Sequence, residues 1–219
     1  MEEWFAALGR CPLFAGLDRP TLSHLLPQLQ PIPRRRAQGE ALLLPGETAP
    51  GVGVLLTGGL RIVREDFWGN RSLLTTLGPG DLFAEAFACS GVPVTVRAEA
   101  AQAAEAVFFP PSRLLAPPPE GRELPGRLLK VFAQKNVMLN RKIDHLSQRT
   151  TRAKVLSYLS HQASEAGSSS FTIPLDRQEL ADYLSVDRSA LSAELGKLRR
   201  EGVLEFHRSQ FLLRQLPQT

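Results

Sequence analysis

The period of the apolar positions changes twice along this chain. Residues 1–30 place Trp4, Phe5, Leu8, Leu13, Phe14, Leu17, Leu22, Leu25 and Leu26 at helical spacing, which predicts short helices. From about residue 31 to 115 the pattern becomes short apolar runs cut by Gly and Pro: ALLLPGE, GVGVLLTGG, LRIVRE, SLLTTLGPGD, VTVRAEA and AEAVFF. Runs of this length and spacing predict a β sandwich or barrel. Gly46-Glu47, Gly58-Gly59, Gly69-Asn70 and Gly78-Pro79-Gly80 are the expected turns. A Pro- and Gly-rich joint, APPPEGRELPG, follows at 116–126. Residues 127–148 then contain neither Pro nor Gly and predict one long helix. Phe132, Leu139 and Leu146 recur every seven residues, with Leu129, Asn136 and Ile143 offset by four. That is a narrow coiled-coil seam, with Asn136 as its register-setting polar residue. A second stripe, Leu128, Val131, Lys135 and Met138, is expected to lie on the β domain. An ordinary amphipathic helix packed on its own domain is the alternative.

The C-terminal third alternates short helices and strands. Residues 149–166 predict a helix that Gly167-Ser168-Ser169-Ser170 ends, and Phe171-Thr172-Ile173 a strand. Asp176 and Glu179 have capping-box spacing at the start of a helix with Leu180, Ala181 and Leu184 inward. After Ser185-Val186-Asp187, a second helix runs from about Arg188 to Glu201, with Asp187 as its expected cap and Leu191, Leu195 and Leu198 inward. Gly202 stops it, and residues 203–214 predict a β-hairpin turning at His207-Arg208-Ser209-Gln210. Two helices joined by a tight turn and followed by a hairpin form a winged helix-turn-helix. A recognition helix reads bases from its N-terminal turns. Arg188, Ser189 and Ser192 are therefore the expected base readers, because Arg can donate two hydrogen bonds to guanine and Ser can reach bases. Arg177 and Gln178, the helix start at Asp187 and Ala190, and the turn residues His207, Arg208 and Ser209 are expected at phosphates.

Charge supports a polyanion partner for the back half. The net charge of +4 is unevenly spread: −2 over residues 1–120, +4 over 121–148 and +2 over 149–219. At 219 residues and 43% hydrophobic, the chain can form two modest domains and is too apolar to be disordered. No apolar run is long enough to cross a bilayer, and the acidic start MEEWFAALGR does not read as a signal peptide. Two cysteines, Cys11 and Cys89, are too few for a disulfide framework or a four-cysteine metal site, so a reducing cytoplasm is the expected location. No nucleophile–base pair, metal cluster or phosphate loop is evident, so an enzyme is not expected.

With these pieces in place, nearly the whole chain resembles the cyclic-AMP receptor/FNR (Crp/Fnr) superfamily of bacterial transcription regulators. CPLFAGL, GEALLLPGE…GVLLTGGLRIVRE, LGPGDLFAE, the VRA strand at 96–98, the long helix and above all DRQELADYLSVDRSALSAELGKLRREGVL carry the resemblance. It implies an α+β chain in three parts: a jelly-roll effector domain with N-terminal helices at 1–120, a dimerisation helix at 121–148 and a winged helix-turn-helix at 149–219. It further implies a homodimer on a near-palindromic operator in double-stranded DNA, acting with RNA polymerase. Arg188, Ser189 and Ser192 fall on the family's base-reading positions, and Arg177 and Gln178 on its phosphate-contacting start. Ala193 departs from the Arg of many relatives, so the operator should differ from the family's best-known one.

The effector segment departs further. Nucleotide-binding members hold the cyclic phosphate and ribose with a Gly-Glu-Leu-Gly turn and a later Arg-Ser pair. Here the stretch reads GDLFAEAFACSGVPVTVRA: Glu85 remains, Ala84 and Phe87 replace the glycines, and Val92-Pro93 replaces Arg-Ser. Residues 81–96 carry no Arg or Lys, and a buried phosphate needs a cation. Leu82, Phe83, Ala84, Glu85, Phe87, Cys89 and Arg97 are the expected pocket, and response to a cyclic nucleotide is not expected. No cofactor is predicted; an unknown small molecule or a redox signal remains open. Haem lacks a motif around the candidate ligands Cys11, Cys89, His24 and His145, and His145 is expected at a surface or interface. Cys89 is expected as an inert core cysteine, with oxidant sensing open only to a stabilised thiolate. Two alternatives stay beside the main reading: a cyclic-nucleotide-responsive regulator, and an effector-binding signalling protein that acts mainly through a protein partner.

Overall fold

The computed structural model describes residues 2–65 and 71–214, in two compact units, 1–133 and 134–219. The expected turn at Gly69-Asn70 lies outside the described residues.

The first unit opens with α1 (Glu2–Arg10) and α2 (Arg19–Gln28). Asp18 caps α2 by accepting a hydrogen bond from the Thr21 amide at 2.9 Å. The strands β1 (Ile32–Arg36), β2 (Ala41–Leu43), β3 (Val52–Glu65), β4 (Arg71–Leu77), β5 (Leu82–Phe83) and β6 (Arg97–Phe109) form one antiparallel system, with the short α3 (Glu85–Ser90) between β5 and β6. The long strands β3 and β6 are its spine. β6 pairs with β2 near its start and with β1 near its end, while β3 pairs first with β5 and then with β4.

Alternation along the spine feeds two apolar clusters. Val52, Val54, Leu56, Val107 and Phe109 pack with the N-terminal helices, α4 (Pro111–Leu115) and the start of α5 (Leu124–Leu146). Leu55, Leu60, Ala98, Ala100, Ala104, Ala106 and Phe108 face the other way, against Leu42, Leu43 and Phe83. The expected turn at Gly58-Gly59 is instead an irregularity inside β3, where the register to β6 shifts. Gly58 has φ 78°, and a Cβ there would collide with the Ala103 carbonyl, so glycine permits a close strand approach rather than a reversal.

The helix α5 begins three residues earlier than predicted and ends at Leu146. Of the second stripe, Leu128 and Val131 are buried as expected, whereas Lys135 and Met138 are exposed. That stripe ends where the first unit's core ends.

The second unit contains α6 (Thr151–Ala166), β7 (Ser170–Thr172), α7 (Arg177–Leu184), α8 (Arg188–Arg200), β8 (Leu204–His207) and β9 (Gln210–Leu213), with sheet order β7-β9-β8. Val155, Leu159, Leu180, Leu184, Leu191, Leu195, Leu198 and Leu204 are fully buried around one core. Each such leucine contributes about 1.5–3 kcal/mol by leaving water. Lys154 ties α6 to the end of α7 by donating to the Leu184 carbonyl at 3.1 Å. Arg152 ties α6 to α8 through Glu194 at 3.3 Å and Glu201 at 2.7 Å.

Candidate nucleic-acid interface

Both halves of the capping box at the start of α7 are made. The Glu179 amide donates to Asp176 Oδ1 at 2.8 Å, and the Asp176 amide donates to Glu179 Oε2 at 2.7 Å. The tight turn into α8 passes through Ser185 at φ 50°. Asp187 occupies the N-cap position of α8, but its side chain accepts no capping bond, which corrects the sequence expectation. The first amides of α8 are thus left without a side-chain acceptor, at the end where a helix attracts anions.

The burial pattern of α8 sets its outward face. Leu191, Leu195 and Leu198 are fully buried. Arg188, Ser189, Ala190, Ser192 and Ala193 are exposed. Among the described residues Arg188 has no ion-pair partner, while Arg141, Arg152 and Arg214 are neutralised by Glu165, Glu194 with Glu201, and Glu205.

Arg177 is the first residue of α7. Its guanidinium lies 5.0 Å over the Phe206 ring and donates to the Arg208 carbonyl at 3.4 Å. Burial and the nearby positive charge of Arg188 pull its pKa below the ordinary arginine value. Two like charges held together favour an anion between them. Gln178 is exposed and donates along the helix to Asp182 at 2.9 Å. In the hairpin turn His207 and Arg208 are exposed. Ser209 is half-buried and its hydroxyl donates to the Leu175 carbonyl at 3.2 Å. The only hydroxyl proton of Ser209 is therefore committed to the fold.

The predicted effector residues do not converge as one group. Leu82 packs with the helical cluster, whereas Phe83, Ala84 and Phe87 pack with the interior face of the sheet. Phe83 meets Phe108 edge to face at 5.3 Å. Glu85 is buried, at 6% exposure, in the first turn of α3. Ala84 keeps a left-handed backbone, φ 58°, at a position where the family's glycine stood. Arg97 is paired with Glu99 at 3.2 Å. Cys89 is exposed rather than core, because α3 turns it outward, and desolvation together with the Glu85 charge pushes its thiol pKa up. The stabilised thiolate that oxidant sensing requires is thus not provided. Cys11 is buried and its thiol is pushed up to about 11.

Sequence reasoning missed Arg34. Its guanidinium sits 5.4 Å over Phe108 and donates to the Leu42 carbonyl at 3.0 Å. Alternation in IPRRR carried the signal: Arg34 pairs with Ala106 and so shares the interior face of β6. His145 is also misplaced by the sequence. It is buried, at 4% exposure, with Nδ1 2.8 Å from Ser157 Oγ and its ring against Tyr158, His161 and Tyr183.

The geometry defines a class first: an antiparallel β domain and a winged helix-turn-helix whose second helix is exposed along its outer face. Comparisons agree. Residues 33–116 match a cyclic nucleotide-binding domain, and residues 153–218 match a Crp-like helix-turn-helix domain. A CRP-like cAMP-activated global transcriptional regulator of Mycobacterium tuberculosis is 24% identical over 211 residues, covering 94% of this chain and 93% of that protein. The fold is similar to the catabolite activator protein of Thermus thermophilus, with TM-score 0.54 at 24% identity and 93% of each chain covered. It is also similar to CprK complexed with OCPA, with TM-score 0.68 at 18% identity, covering 89% of this chain and 91% of the other. The chain belongs to the Crp/Fnr superfamily and is a Crp-like transcription regulator with a DNA-binding helix-turn-helix. Among the described residues no helix is long and apolar enough to cross a membrane.

Proposed function

We propose that this regulator acts as a cytoplasmic homodimer, paired through α5, on a near-palindromic operator, and communicates with RNA polymerase. Arg188, Ser189 and Ser192 read bases. Arg177, Gln178, the α8 start at Asp187 and Ala190, His207, Arg208 and the backbone at Ser209 face phosphates. The observation that carries the reading is the exposed Arg188, without an ion-pair partner among the described residues, on the first turn of a helix whose opposite face is fully buried. The test is Arg188→Ala on an operator selected from random sequence. It should cost about 1–3 kcal/mol there and relax selectivity at one base pair, with little change on random duplex. Equal losses on both DNAs would move Arg188 to the phosphates.

The effector of this chain is not a cyclic nucleotide. The Mycobacterium tuberculosis relative is named as cAMP-activated. Here residues 81–96 supply no cation, Arg97 is neutralised by Glu99, and Arg34 is held by Leu42 and Phe108. Calorimetry with cyclic AMP and cyclic GMP should show no binding heat, and operator affinity should be unchanged by either. Micromolar binding coupled to tighter DNA binding would overturn this reading. Desolvation and the Glu85 charge raise the Cys89 thiol, which argues against a low-pKa sensor and favours a small organic effector or regulation by abundance.

A further inference from the structure

A three-ring stack runs through the hairpin. Phe171 on β7 lies 6.2 Å from Phe211 on β9, and Phe211 lies 5.9 Å from its cross-strand neighbour Phe206 on β8, with interplanar angles of 19° and 28°. Phe171 and Phe211 are buried, as core rings are, but Phe206 is only half-buried. Two cations use that outermost ring: Arg177 at 5.0 Å and Arg199 at 5.4 Å. Arg177 also reaches the Phe211 ring at 5.9 Å and the Arg208 carbonyl of the hairpin turn. Its guanidinium therefore joins the first residue of α7 to the hairpin by three separate contacts, against the repulsion of Arg188.

We propose that Phe206 is the positioning residue of the DNA interface, its ring holding the Arg177 guanidinium in place for a phosphate. This rests on the reading of Arg177 as a phosphate contact. Stacking occupies the face of the guanidinium and leaves N–H groups on its edge for an anion. A long side chain held before binding loses less freedom when the phosphate arrives. The hairpin thus acts on DNA through the helix-turn-helix as well as through its own turn. A ring used only to complete the core would not require aromatic character at its exposed edge, and this difference makes the idea testable.

The experiment uses the full chain and a random-sequence duplex, with affinity followed by fluorescence anisotropy across about 50–200 mM salt. Arg177→Ala should weaken binding and lower the salt slope by about one per protomer. Phe206→Leu should weaken binding roughly two- to fivefold, the range of an exposed cation–π contact, and lower the slope in the same direction. Phe206→Tyr should restore both. Adding Phe206→Leu to Arg177→Ala should produce no further loss. Thermal unfolding of each variant accompanies the series, and Phe206→Met replaces Leu if Leu unfolds at the assay temperature. A Leu or Met variant that folds and keeps the wild-type slope would overturn the proposal, as would additive losses in the double variant. An unchanged slope in Arg177→Ala alone would refute the phosphate role of Arg177 itself, and the positioning role with it.

Discussion

Among the described residues Gln30, Ala84, Ser185 and Arg208 hold backbone conformations that glycine adopts more easily. Ala84 has φ 58° at the entry to α3, and Arg208 has φ 54° in the two-residue turn between His207 and Gln210. A left-handed backbone costs a side-chain-bearing residue about 1–2 kcal/mol. At Arg208 the side chain is exposed, and among the described residues it has no ion pair or ring contact to offset this cost. What it supplies is a positive charge at the tip of the hairpin, where DNA is expected. Arg208→Gly should therefore stabilise the fold by about 0.5–1 kcal/mol while weakening binding to every DNA sequence, whereas Arg208→Ala should weaken binding without the gain. Urea unfolding and anisotropy on random duplex measure the two effects separately. A glycine variant that unfolds more easily would mean that the Arg208 side chain supports the turn.

Elements built from near neighbours were legible in the sequence. The Asp176–Glu179 capping box, the inward leucines of α8 and the hairpin needed only contacts a few residues apart. The spine of the β domain was less legible, because Gly58-Gly59 resembles a turn until β6 is seen crossing close to it. Arg34 and His145 escaped for the same reason: the partners that bury them, Phe108 and Leu42 for one, Ser157, Tyr158 and Tyr183 for the other, come from distant or separate elements. The site was legible as an exposed face and illegible in its tethers, such as the bond that commits Ser209 to Leu175. His145, where the end of α5 meets α6 and α7, makes a prediction at this scale. Desolvation and the neighbouring His161 hold its pKa below the ordinary 6.5, with Arg141 adding to the decrease and Asp144 opposing it. A depressed histidine pKa favours the unfolded chain once protons bind, so its contribution is complete above about pH 6.5 and is lost as pH falls through the folded value. The unfolding temperature of the C-terminal unit should fall between pH 7 and 5, and His145→Gln, which keeps a partner for Ser157 without a titrating group, should flatten that slope. Parallel slopes in the two proteins would remove His145 from the account.

The molecule as a whole poses the question of what covers α5. Leu129, Leu139 and Ile143 are 69%, 61% and 57% exposed, and Val137 and Met138 are exposed beside them. So many large apolar side chains on one helix are unusual for a monomer in water. Of the seam read from the heptad pattern, Leu129, Leu139 and Ile143 are exposed, whereas Phe132 and Leu146 are half-buried, Phe132 against the first unit's core; Asn136 is exposed and accepts a hydrogen bond from Asn140 at 2.8 Å. In the proposed homodimer a second copy of the chain would cover this stripe, and a parallel pair would present two recognition helices to half-sites about one helical turn apart. Leu139→Glu places a charge in the middle of the seam and should yield monomers in sedimentation, with operator binding falling much more than binding of a single half-site. Asn136→Val should act in the opposite direction, tightening association while admitting other registers or higher oligomers, because a buried polar residue trades stability for a defined pairing. A Leu139→Glu protein that remains dimeric at micromolar concentration would place the interface elsewhere and leave the exposed stripe of α5 to another partner.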